Sequence, residues 1–179
     1  MVTLFKKIVW SLGLLFLSPA VMASNSQEYY DLSSTSQLVW PSELKLRVRP
    51  LADWGGILLT GKKDGVDFTA VVLRKRAQEK ADKNLVEREW SEILEVTKMR
   101  RSVNNLGCKN DSQVFQCSHV GKMFTSQNGP EFEYENVFWN QASDRVVIQV
   151  KGTKSEEWVK NLGTQFSVRA VSAEKGAKQ

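Results

Sequence analysis

Residues 66–103 read VDFTAVVLRKRAQEKADKNLVEREWSEILEVTKMRRSV, and the spacing of their apolar side chains changes midway. Val66, Phe68, Ala70 and Val72 alternate, as in a strand with one buried face. From about Gln78 to Val103 the period lengthens. Val86, Trp90, Ile93 and Thr97 fall three or four apart with Leu94 beside them, while Glu87, Arg88, Glu95 and Lys98 lie mostly off that stripe. This predicts one long amphipathic helix with a single buried stripe.

Working outward, Asp64-Gly65 supplies the left-handed backbone of a tight hairpin, and Gly56 to Thr60 is the short apolar run before it. Further back, Leu44, Leu46 and Val48 alternate with Lys45, Arg47 and Arg49, which predicts a strand with a buried face and a cationic face. Pro50 is expected to end it. Downstream, Val114 to Phe124 reads as a strand, and Asn128-Gly129-Pro130 as a turn. Phe132, Tyr134 and Phe138 then interleave with Glu131, Glu133 and Glu135. Asn140 to Asp144 turns the chain into the inward face Val146, Ile148 and Val150. Thr153-x-x-Glu156 reads as a capping box for a short helix, Ser155 to Leu162, docked by Trp158 and Leu162 and ended by Gly163. Phe166, Val168 and Ala170 form a last strand. Three strands, a long helix, three strands, a short helix and a strand make an α+β domain. Its antiparallel sheet is covered by one long and one short helix. Trp40, Trp54, Trp90, Trp139 and Trp158 are its expected heavy core members.

The ends read differently. Lys6 and Lys7 precede a nearly all-apolar run, Ile8 to Leu17; Ser18-Pro19 breaks it, and Val21 and Ala23 sit where a signal peptidase needs small or modest side chains. Residues 1–23 are therefore expected to be a signal peptide of bacterial style, cut between Ala23 and Ser24. The apolar run is about half the roughly 20 residues that span a bilayer, so no membrane anchor is expected after cleavage. Residues 24–39 are Ser- and Asn-rich and read as a polar linker, residues 40–171 as a single domain, and residues 172–179 as a tail. The destination is periplasmic or extracellular. With 25 basic and 20 acidic residues, losing the two leader lysines leaves a net charge of +3. That is too balanced to argue for nucleic acid, though it allows an envelope protein or an anionic envelope component as partner.

Few residues carry chemistry. One histidine and two cysteines exclude multi-histidine and four-thiolate metal centres, and no cofactor motif is present. Cys108 and Cys117, with Asn110-Asp111-Ser112 between them in a chain addressed to an oxidising compartment, predict a structural disulfide. His119, two residues beyond Cys117, reads as a partly exposed polar group. A Cys-His catalytic pair would require a free thiolate. Glu131, Glu133 and Glu135 read as a solvated face, or as partners for a neighbouring cationic strand. Lys45, Arg47 and Arg49 are the candidate partner-binding residues, to the extent that their face is exposed and unpaired.

The layout resembles the PsbP-like family. The residues that carry the resemblance are Arg145-Val146-Val147-Ile148-Gln149-Val150, Ser155-Glu156-Glu157-Trp158, Thr164-Gln165-Phe166-Ser167-Val168 and the opening Trp40-Pro41. It spans residues 40 to 171 and implies an α/β/α sandwich with a binding or assembly role and no enzyme activity. The expected function is that of an exported, non-catalytic binding or accessory protein with no cofactor. A small secreted hydrolase using His119 or the acidic strand, and a secreted effector, are the alternatives.

Overall fold

Asp64 and Gly65 both take positive φ, 53° and 80°, the backbone of a two-residue hairpin, and the strands around them pair as the sequence predicts. The computed structural model describes residues 26–51, 55–76, 79–111, 113–123, 129–141 and 144–171. Its strands are β1 (Gln27–Asp31), β2 (Ser36–Pro41), β3 (Arg47–Leu51), β4 (Gly56–Lys63), β5 (Val66–Arg76), β6 (Arg101–Asp111), β7 (Val114–Met123), β8 (Glu131–Asn140), β9 (Asp144–Gly152) and β10 (Ser167–Ala170). The helices are α1 (Lys83–Lys98), between β5 and β6, and α2 (Glu156–Gly163), between β9 and β10. Seven strands form an antiparallel sheet in the order β3-β4-β5-β9-β8-β7-β6, and β1-β2-β10 form a second one.

The alternation in each central strand decides which side it buries. Phe68, Ala70 and Val72 of β5, Val146, Ile148 and Val150 of β9, and Tyr134 and Phe138 of β8 face one way. There they meet Trp158, Val159 and Leu162 of α2 and Leu38, Trp40 and Val168 of the small sheet. On the opposite face, Val86, Trp90 and Leu94 of α1 meet Cys117, Val137 and Trp139. The large sheet is thus the middle layer of an α+β sandwich. Asp82 caps α1 by accepting from Leu85 N at 2.8 Å, and Ser155, not Thr153, caps α2 by accepting from Trp158 N at 3.1 Å. Trp158 Nε1 also donates to Asp64 Oδ2 at 3.0 Å, tying the β4–β5 turn to α2.

Two expectations are corrected here. The stretch expected as a polar linker, residues 24–39, contains β1 and most of β2, with Ser36, Leu38 and Val39 buried. Its hydroxyls are partners for a buried carboxylate rather than for water: Ser33, Thr35 and Ser36 all donate to Asp144 Oδ2. The long helix is also shorter than Gln78 to Val103, because β6 takes over at Arg101. The leader expected over residues 1–23, Trp54, Asn128 and the tail 172–179 lie outside the described residues. Among the described residues no helix is long and apolar enough to cross a membrane.

Candidate functional site

The cationic alternation begins later than the sequence suggests. Ser42–Leu44 forms a single 3-10 turn, closed by Lys45 in the left-handed conformation (φ 46°) and by the Lys45 N–H donating to Ser42 O at 3.2 Å. That turn drives Leu44 into the core, so Lys45 stands outside the strand. Arg47 and Arg49 remain on one face of β3, opposite Thr60 and Leu58 of β4. The strand is an edge. Val48 is 37% exposed rather than buried, and Pro50 sits inside the strand, where an edge tolerates its missing N–H. Among the described residues neither Arg47 nor Arg49 makes an ion pair. Lys45 and Arg47 line a groove of about 550 Å³ with Lys62 and Lys151.

The acidic strand is neither a solvated face nor paired with β3, although Glu131, at its half-buried start, lines the same groove as Lys45 and Arg47. β4, β5 and β9 separate β8 from β3, roughly 19 Å at about 4.8 Å per strand. Glu133 and Glu135 are buried, at 1% and 7% exposure, because they lie on the face that α1 partly covers. Each is matched: Glu133 is bridged by Arg101 and by Lys151, the latter at 3.4 Å, and Glu135 accepts from Gln149 and faces His119. Burial works to raise the Glu135 carboxyl. The contacts with His119 and Gln149 and the pull of His119 and Arg101 outweigh it, and its pKa is lowered.

His119 is fully buried, not partly exposed. Its Nε2 lies 3.4 Å from Glu135 Oε1, and the Trp90 ring stacks on it with centroids 5.6 Å apart. Trp90 is held in turn by donating to Asn105 Oδ1 at 3.3 Å. Cys117 is bonded to Cys108 across the β6–β7 pair, so no thiolate stands beside the imidazole. Replacing both cysteines with serine is expected to lower the unfolding free energy by about 2 to 3 kcal/mol, read by urea titration. An unchanged midpoint would show that the bond constrains nothing the sheet does not already hold.

The sequence reading missed the matching groups of this layer. Arg101 lies in the stretch read as helix, and Gln149 and Lys151 show no pattern until the register sets them beside the glutamates. It also missed a half-buried apolar row, Leu58, Val71 and Val147 with Leu73, on the same face. One signal was available: from Ala70 to Leu73 both faces of β5 are apolar.

No protein-family model matches the sequence, and no curated protein matches it. Among solved structures, the solution structure of cyanobacterial PsbP (CyanoP) from Synechocystis sp. PCC 6803 is similar. It is 13% identical, covers 85% of this chain and 98% of that chain, and has a TM-score of 0.49. The likeness is one of overall architecture.

Proposed function

We propose that this chain is an exported, non-catalytic accessory protein that binds an anionic envelope partner through the β3 side of its large sheet. The observation that carries this reading is the pair Arg47 and Arg49. They lie about 7 Å apart on an exposed edge strand, and among the described residues neither makes an ion pair. Like charges held this close repel, and a partner's acids relieve the repulsion while steering encounter. Export rests on the leader pattern of residues 1–23 and is in keeping with the Cys108–Cys117 bond. A hydrolase built on His119 finds no support in the geometry, because Trp90 closes over the imidazole and no surface reaches it.

Charge reversal tests the reading. Arg47→Glu/Arg49→Glu should leave thermal unfolding within a degree or two, since both side chains are exposed. It should cut recovery of the crosslinked envelope partner about tenfold, with wild-type recovery falling as salt rises. Unchanged recovery at low salt would refute the reading. Intact mass of exported protein should correspond to a chain starting at Ser24; a mass that retains Lys6 and Lys7 would remove the export step.

A further inference from the structure

We infer that the strip of the large sheet left open beside α1 seats an amphipathic helix of an acidic partner protein; this deepens the reading above. The strip follows from register. On the α1 face, neighbours across the sheet form the rows Arg47–Thr60–Thr69–Lys151–Glu133 and Arg49–Leu58–Val71–Gln149–Glu135. The next row holds Leu51, Gly56, Leu73 and Val147, and the one after it Lys75 and Arg145. α1 packs over β6, β7 and the Val137–Trp139 end of β8. Among the described residues α1 reaches β9 at the Glu89–Arg145 ion pair and Val147, and no extensive packing of either helix against β5, β4 or β3 follows on this side. Leu58, Val71, Leu73 and Val147 are therefore only half-buried, whereas Leu59, Val72 and Ile148 on the other face are fully buried.

Charge marks both ends of this apolar floor. At one end lies the groove holding Arg47, Lys62 and Lys151. At the other is a cleft of about 340 Å³ holding Lys75, Arg88 and Arg145. With Lys45 in the groove and Arg76 in the cleft, four cations face two acids at each end: Asp67 and Glu131 in the groove, Glu79 and Glu89 in the cleft. From Lys151 to Arg145 is six residues of strand, about 20 Å, the length of roughly 13 residues of helix. Helices pack about 8 to 10 Å apart, about two strand spacings, so a helix beside α1 is centred over β9, with one flank on Val147 and on Val71 and Leu73 of β5, the apolar part of the floor. A helix satisfies its own backbone and can rest on a sheet face without orphaned polar groups. A bilayer cannot follow, because α1 stands about 10 Å proud of the floor. The occupant is thus a helix with an apolar stripe and acidic residues near both ends.

The probe is a synthetic helical peptide of about 14 residues, with Leu at i, i+3, i+4 and i+7 and Glu at both ends. It is titrated into the full oxidised chain with methyl NMR as readout. The expected result is saturable shifts at Leu58, Val71, Leu73 and Val147, with affinity about tenfold weaker in Arg49→Glu/Lys75→Glu. A Leu73→Ser variant should weaken binding while the charges remain. Shifts confined to the Val48 and Thr60 methyls beside Arg47 and Arg49, unaffected by Leu73→Ser, would overturn the helix while leaving the anionic-partner reading intact. Equal binding of the same peptide with Lys in place of Glu would overturn it too, as would binding only to phosphatidylglycerol vesicles.

Discussion

Replacing Asp144 with alanine is expected to cost about 3 to 5 kcal/mol of folding stability, the range for removing one partner of a buried pair. The carboxylate is 3% exposed at the start of β9 and accepts five hydrogen bonds. Oδ1 takes Arg74 Nε at 3.0 Å and Nη2 at 2.8 Å. Oδ2 takes the hydroxyls of Ser33, Thr35 and Ser36 at 2.7, 2.8 and 2.9 Å. Asn140 Nδ2 supports the same loop by donating to Thr35 O at 3.0 Å. One side chain therefore ties the β1–β2 turn to β5 and β9, and its loss leaves a half-buried guanidinium and three hydroxyls without their acceptor. Urea unfolding at neutral pH measures the cost. A loss below about 1 kcal/mol, the worth of one ordinary hydrogen bond, would show that water replaces the carboxylate and that the network is not a staple.

The same group sets the acid limit. Burial works to raise the Asp144 carboxyl, but Arg74 and the three hydroxyls outweigh it and hold the pKa at about 2, against an ordinary 3.8. A depressed folded value means the stabilisation is fully present above the unfolded pKa near 4 and is lost as pH falls toward 2. Its size is about 2 to 3 kcal/mol at 1.36 kcal/mol per pKa unit. Glu135, also lowered, acts in the same direction. Wild-type stability should thus fall steeply below pH 4, and Asp144→Ala should flatten that fall. Parallel pH profiles for the two proteins would place the acid sensitivity elsewhere.

What the sequence disclosed, and what it hid, follows from how each residue is satisfied. Period marked β5, α1, β9 and α2, because their apolar side chains face one layer each and recur at 2 or 3.6. It failed at both ends of α1: β6 is an edge strand whose Asn104 and Asn105 are exposed, so nothing apolar repeats there. It failed at β2 because Ser33, Thr35 and Ser36 look like linker residues until Asp144, more than a hundred positions away, supplies their acceptor. The acidic strand misled for the same reason. Glu133 and Glu135 alternate like a solvated face, and only the pairing of β8 with β7 and β9 sets His119, Gln149 and Lys151 beside them. Local pattern reports burial of apolar groups; it is silent about polar groups buried against distant partners. The two cysteines were legible because a cross-strand pair joined by a short turn is itself a local feature.

Gly163 poses a similar problem, since a glycine at a helix end reads as a stop signal and here serves a close approach. Its position at the end of α2 sets it against the Tyr134 ring of β8, and an added Cβ would fall inside the contact radius of that ring. Tyr134 is 1% exposed, and its hydroxyl, raised in pKa by burial, bonds Ser118 and Gln116, so the ring cannot withdraw. Alanine at position 163 must instead lift α2, loosening Trp158, Val159 and Leu162 from the core. The expected loss is about 3 kcal/mol, the upper end for overpacking. Tyr134→Leu separates this clash from a helix-end effect. It is destabilising alone, but in its background Gly163→Ala should cost no more than about 1 kcal/mol, a coupling of roughly 2 kcal/mol in the double-mutant cycle. If the two substitutions add without coupling, the glycine is needed for the chain's exit from α2, and the helix owes its seat on the sheet to Trp158 and Leu162 alone.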